Sequence, residues 1–127
     1  MTTMTALAQA AGILLAFEPH IDSILESPFD TLTFLEQNPT LKIALDYSHF
    51  IAQWYKSADV DPLMRYAGYV RLRQGAEKQL QARWGAGQID FPGMIGLLKV
   101  AGYNGYGIFC PTPRKGGIRE LAFPFRP

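Results

Sequence analysis

Leu41-Lys42-Ile43-Ala44-Leu45-Asp46, LKIALD, is a short apolar run that ends on a carboxylate, and His49 stands three positions beyond that aspartate. Its length, its aliphatic content and the Asn38-Pro39 punctuation before it predict a strand. Three more runs share this form: GILLAFE (12–18), GYVRLR (68–73) and GYGIFC (105–110), each bounded by Gly, Pro or Asn. Helical stretches lie between them. After Ser27, PFDTLTFLEQN has Ser27 as N-cap, Pro28 at the first helical position and Phe29, Leu32 and Leu35 on one face. The second connection runs through HFIAQWYK and a segment opened by Asp61-Pro62. The third ends in FPGMIGLLKVA, with Asp90 as N-cap and Gly102 closing it. Strand and helix thus alternate four times, which predicts right-handed βαβ crossovers and an α/β fold with a parallel sheet.

With 127 residues the chain suffices for one domain with a core, and 48% hydrophobic against 18% charged residues argues against disorder. A net charge of +1 with no basic block makes nucleic acid a poor partner. The apolar start lacks a basic leader region and is interrupted by Glu18, so neither signal peptide nor membrane anchor is expected. A single cysteine, Cys110, offers no internal disulfide and no Cys/His zinc spacing, which suits a cytoplasmic location. Residues 1–110 read as the folded unit and 111–127 as an irregular Pro/Gly/Arg-rich tail.

Parallel βα units place chemistry at the carboxyl ends of their strands. Those exits carry Glu18 with His20 beyond it, Asp46 with His49, Arg71 with Arg73, and Cys110. Side-chain alternation puts Leu14, Ala16 and Glu18 on one face with Ala44, Asp46, Tyr69, Arg71 and Ile108, and turns Leu15, Phe17, Ile43, Leu45, Val70 and Leu72 toward the helices. Carboxylates with a histidine nearby suit Mg, Mn or Zn, although polar strand ends are also common without any ligand. Arg71 can bind a sugar phosphate or a carboxylate bidentately, or form an internal ion pair. Cys110 reads best as a small buried residue. Trp84, in a Gly-bounded loop, can stack on a sugar ring, whereas Trp54 reads as core or interface.

These runs resemble the second half of the xylose isomerase-like TIM barrels, the superfamily of sugar isomerases, sugar epimerases and apurinic-site endonucleases. LLAFEPH is similar to the fifth barrel strand with its metal-binding Glu, and IALDYSHF to the sixth with its Asp-x-x-His. GYVRLRQG is similar to the seventh strand, and GQIDFPGMIGLLKVAGYNGYGIF to the last helix and the eighth strand, so the resemblance covers residues 12 to 110. It implies half of a (β/α)8 barrel, with about four strands and four helices. It also implies a sugar or sugar-phosphate isomerase/epimerase in which a divalent metal (Mn, Mg or Zn) assists proton transfer next to a carbonyl. Glu18 and Asp46 would be metal ligands, and Glu18 and His49 the catalytic groups. His20, Arg71, Arg73 and Trp84 would then bind the substrate.

Two departures accompany the resemblance. Arg71 stands where the family places a ligand histidine, and Cys110 where it places a ligand glutamate. An arginine does not give up its proton to a cation, so weak metal binding is expected; the fixed charge of Arg71 can stand between Glu18 and Asp46 in the metal's place, as an alternative to binding an anion or forming an internal ion pair. A non-catalytic binding or interaction domain derived from this fold is the alternative reading. A nuclease would need a histidine cluster and a basic groove, and two histidines at a net charge of +1 do not supply them. Four strands cover half of a barrel, so a homodimer or a separate barrel half is expected as partner, unless the tail covers the open face.

Overall fold

A computed structural model of the chain describes residues 2–110 and 121–124. It first departs from the sequence reading at Gly12, which closes a helix rather than opening a strand. Helix α1 spans Thr2–Ala10. Gly12 takes φ 68°, and the amides of Gly12 and Ile13 return to the carbonyls of Gln9 and Ala8 at 3.0 and 2.8 Å. A left-handed glycine that folds the chain back onto the last turn is a common helix stop. Of the run 12–18, only Ala16–Phe17 pairs, as strand β1.

The rest alternates as expected. Helix α2 spans Pro28–Gln37, strand β2 Lys42–Asp46 and strand β3 Ala67–Leu72, helix α5 Phe91–Val100 and strand β4 Tyr106–Phe109. Between β2 and β3 lie the short helices α3 (Tyr47–Ile51) and α4 (Ser57–Val60) and a 3-10 turn (Asp61–Tyr66). The Ser27 side chain accepts from the amides of Phe29 and Asp30, and Asp90 accepts from Gly93, so both predicted N-caps form. One face differs from expectation. Helix α2 buries Pro28, Thr31 and Leu35, while Phe29 turns outward and meets the edge of the Tyr55 ring.

The sheet runs β1-β2-β3-β4 in parallel, each strand beside its successor, as in one half of an α/β barrel. Strand β5 (Leu121–Pro124) then adds to the outer edge of β4 in antiparallel register, with Phe109 opposite Leu121 and Tyr106 opposite Pro124. The tail expected to be irregular therefore contributes a strand where it is described. The remainder of that tail lies outside the described residues. No helix among the described residues is long and apolar enough to cross a membrane.

The parity expected of the strands holds on the helix side. Ile43, Leu45, Val70 and Leu72 are buried in one core with Leu35, Phe50, Val60, Leu63, Met94 and Leu98, and Phe17 packs against its margin. Each such side chain stabilises the fold by roughly 1.5–3 kcal/mol through burial. This layer pins the strands, and thereby fixes where the opposite parity, Glu18, Asp46 and Arg71, emerges. At the amino-terminal end of the sheet the same parity is open, with Leu14 60% exposed.

Candidate functional site

Asp46 ends β2 and begins α3. Its Oδ1 caps that helix, accepting from the Ser48 amide at 3.0 Å and from the Ser48 hydroxyl at 2.5 Å. The Asp46 side chain is fully buried. A buried carboxylate needs a positive partner, and the partner comes from just beyond β3: the Arg73 Nη2 donates to Asp46 Oδ2 at 2.6 Å while its Nε donates to the Ser48 hydroxyl at 3.0 Å. Ser48 is thus a relay between the two charges.

His49 follows on the same turn and is also buried. Its Nε2 lies 3.0 Å from Arg73 Nη2, 3.5 Å from Glu18 Oε1 and 3.9 Å from Asp46 Oδ2, and its Nδ1 faces the Ile21 amide at 3.4 Å. Glu18, just past β1, meets Arg71 Nη1 at 3.4 Å. In the sheet, Arg71 is the register partner of Asp46, yet its charge goes to Glu18 and the longer reach to Asp46 is made by Arg73. Two carboxylates, two guanidiniums and one imidazole are gathered at one end of the sheet.

The hydrogen bond with His49 is the largest influence on Glu18, drawing its carboxyl below the ordinary carboxylate value. Partial burial pushes the other way, but the charges of Arg71, His49 and Arg73 add to the downward pull and prevail. Glu18 is therefore held as a carboxylate, a hydrogen-bond acceptor across the neutral range. Nearby, Tyr47 is pushed far up by burial and by its bond to Asp61 Oδ1 at 2.6 Å, so it stays a neutral donor.

The ligand atoms of Glu18, Asp46 and His49 all lie within 4.8 Å of one another, as a metal centre of this residue type would require. The donor set nevertheless does not fit a divalent cation as it stands. Oδ1 of Asp46 already accepts twice and Oδ2 accepts from Arg73, so about three of the roughly four acceptor positions of that carboxylate are in use. Arg73 Nη2 touches two of the three ligand groups, and Arg71 neutralises the third. Arg71 pairs with Glu18, and Arg73, one pleat further on, extends back over Ser48 to Asp46.

The other expected residues divide. The His20 ring lies 6.0 Å from that of His49, beside the cluster, with Nδ1 at 2.6 Å from the Ile21 carbonyl. The Trp84 ring stacks at 5.1 Å on Phe109 and lies 4.6 Å from Phe91, and Phe109 is the register partner of the core residue Leu72. That places Trp84 toward the helix layer. Cys110 is buried, its amide bonded to the Leu72 carbonyl at 3.1 Å, and it is not a member of the Glu18, Asp46 and His49 group. Trp54 is 57% exposed and carries the Lys78 ammonium 5.4 Å above its ring, so it is not a core residue.

Two positioning residues escaped the sequence reading. Ser48 was signalled by Asp-x-Ser at a helix start, a capping pattern. Gln74 gave no signal: buried, it donates to the Ile89 carbonyl at 3.0 Å and accepts from the amides of Ile89 and Gly75, tying both ends of the β3–α5 connection to the strand exit.

A half-barrel order of four parallel strands, whose carboxyl ends carry Glu18, Asp46, Arg71 and Cys110, is what the motif order implied. No curated protein matches the chain. The family model described as xylose isomerase-like TIM barrel matches residues 1–123, and the chain belongs to that family.

Proposed function

We propose that this half-barrel is a binding domain for a small polyhydroxylated ligand, a sugar or sugar phosphate, built on the sugar isomerase/epimerase scaffold and working without a bound metal. One observation carries the reading: Glu18, Asp46, His49, Arg71 and Arg73 meet at the carboxyl end of the sheet in a charge-balanced cluster. Sugar hydroxyls donate to carboxylates and accept from guanidiniums, so a ligand of this class can exchange hydrogen bonds with both halves of each ion pair. A phosphate or carboxylate on the ligand would compete for Arg71, whose contact with Glu18 is the longer of the two pairs. His20, beside His49, would extend the polar wall.

Glu18 is held as a carboxylate by His49 and the nearby guanidiniums, which suits it to accept from a ligand hydroxyl. The 3.5 Å contact of Glu18 with His49 is the feature that favours the rival reading, an isomerase or epimerase in which this pair moves a proton next to a carbonyl. Titration calorimetry with pentoses, hexoses and their phosphates tests the first reading. Binding weakened at least about tenfold by Glu18→Gln or Arg71→Ala supports it; binding indifferent to both variants refutes it. Deuterium exchange at the carbon beside the carbonyl, lost in Glu18→Gln, would instead establish the rival.

A further inference from the structure

The place for a cation among Glu18, Asp46 and His49 is filled from within the chain. Arg73 Nη2 is 2.6 Å from Asp46 Oδ2 and 3.0 Å from His49 Nε2, two of the three atoms that would face a metal. The third, Glu18 Oε1, lies 3.5 Å from the same His49 Nε2. The guanidinium is itself locked: Nε donates to the Ser48 hydroxyl, which is bonded in turn to Asp46 Oδ1, and the Arg73 side chain is only 14% exposed. Contacts of its Nε and Nη2 with Ser48, Asp46 and His49 hold the charge in a fixed orientation, as a planar fork allows and an ammonium does not.

We propose that Arg73 is a resident cation, a permanent substitute for a divalent metal. It holds the carboxylates gathered, turns away metal by like-charge repulsion and by occupying the ligand atoms, and makes the site independent of metal supply. Arg71 is secondary in this scheme. Its Nη1 meets Glu18 Oε1 at 3.4 Å, a longer contact than the 2.6 Å from Arg73 Nη2 to Asp46 Oδ2. The proposal goes beyond the ligand-binding reading and stands whether or not a sugar binds.

It follows that taking Arg73 away should uncover a metal site made of the residues it now occupies. The test is titration with Mn2+ followed by calorimetry and by electron paramagnetic resonance, on the full chain, for the wild type, Arg73→Ala, Arg71→Ala and the double variant Arg73→Ala/Asp46→Asn. We expect Mn2+ affinity to rise at least about tenfold in Arg73→Ala, to change less in Arg71→Ala, and to fall back in the double variant. Thermal unfolding should then shift upward with added Mn2+ in Arg73→Ala and not in the wild type. If Arg73→Ala does not fold, Arg73→Gln replaces it, since the amide can still donate to Asp46. Three results overturn the proposal: tight Mn2+ binding by the wild type that is lost in Asp46→Asn, no gain in whichever Arg73 variant folds, or a gain confined to Arg71→Ala.

Discussion

Asp46 and Glu18 carry the same charge at equivalent strand exits and are treated differently by the protein. Asp46 is fully buried and answered by a short bidentate network of Arg73 and Ser48, whereas Glu18 keeps 28% of its side chain exposed and is answered at 3.4 to 3.5 Å by Arg71 and His49. Removing Arg73 alone would strand a buried carboxylate, a loss of about 3–5 kcal/mol for pairs of this kind. Glu18 can be tested through pH. Its folded carboxyl lies below the ordinary value of 4.5, so the unfolded chain takes up the proton first as acid is added. The stability due to its ionisation is therefore fully present above that value and is lost as the pH falls through the depressed folded one. Urea midpoints of the wild type and Glu18→Gln should differ most at neutral pH and converge in acid. A gap that stays constant across the acid range would show that charge is not its source.

At the scale of elements, the legible part of the structure was the part set by local pattern. Parity along β2 and β3 followed from the alternation of Ile43, Leu45, Val70 and Leu72 with Ala44, Asp46 and Arg71, and the two N-caps from Ser27 and Asp90. What could not be read depends on reach across elements: that Arg73 meets Asp46, and that Gln74 fastens a loop to residues fifteen positions away. Helix α1 was missed although Gly12 marked its end, because a glycine before an aliphatic run also opens strands. The β3–α5 connection makes a further demand that only the structure shows. A Cβ on Gly75 would lie 2.9 Å from the Ser48 Cβ and 3.0 Å from its Cα, so the connection passes directly against the relay between Asp46 and Arg73. Gly75→Ala should push Ser48 aside, destabilise the fold by about 1–3 kcal/mol as overpacking does, and weaken ligand binding with it. Unchanged melting and unchanged calorimetry would show that the connection can retreat.

The whole molecule presents two unlike edges. Strand β5 covers the outer edge of β4, and its Pro124 is of a kind suited to an edge that must not recruit another strand. The β1 edge has two paired residues, and the chain leading into it exposes Ile13 and Leu14 at 62% and 60%. Closing two copies into a barrel of eight parallel strands would need β4 to meet β1 of the second copy, which β5 stands in the way of. The tail strand was hidden in the sequence because its partner is remote and its flanks are rich in Pro, Gly and Arg. We expect the full chain to associate in a concentration-dependent way through the β1 edge and the exposed Ile13 and Leu14 beside it. Deletion of residues 112–127 should raise the mass further by freeing β4. Light scattering after size exclusion checks both, and a monomer at every concentration in both forms would reject this account.

The stacking of Trp84 on Phe109 and its contact with Phe91 bring a practical dividend in optics. The chain has two tryptophans, and the other, Trp54, stands exposed beneath Lys78 far along the sequence. With Trp54 replaced by Phe, the remaining indole is an intrinsic fluorophore seated where the last parallel strand leaves the sheet. Its emission colour reports solvation there, and its anisotropy reports the stiffness of the connection that Gln74 fastens. Events at the strand exits can then be watched in dilute solution without a label.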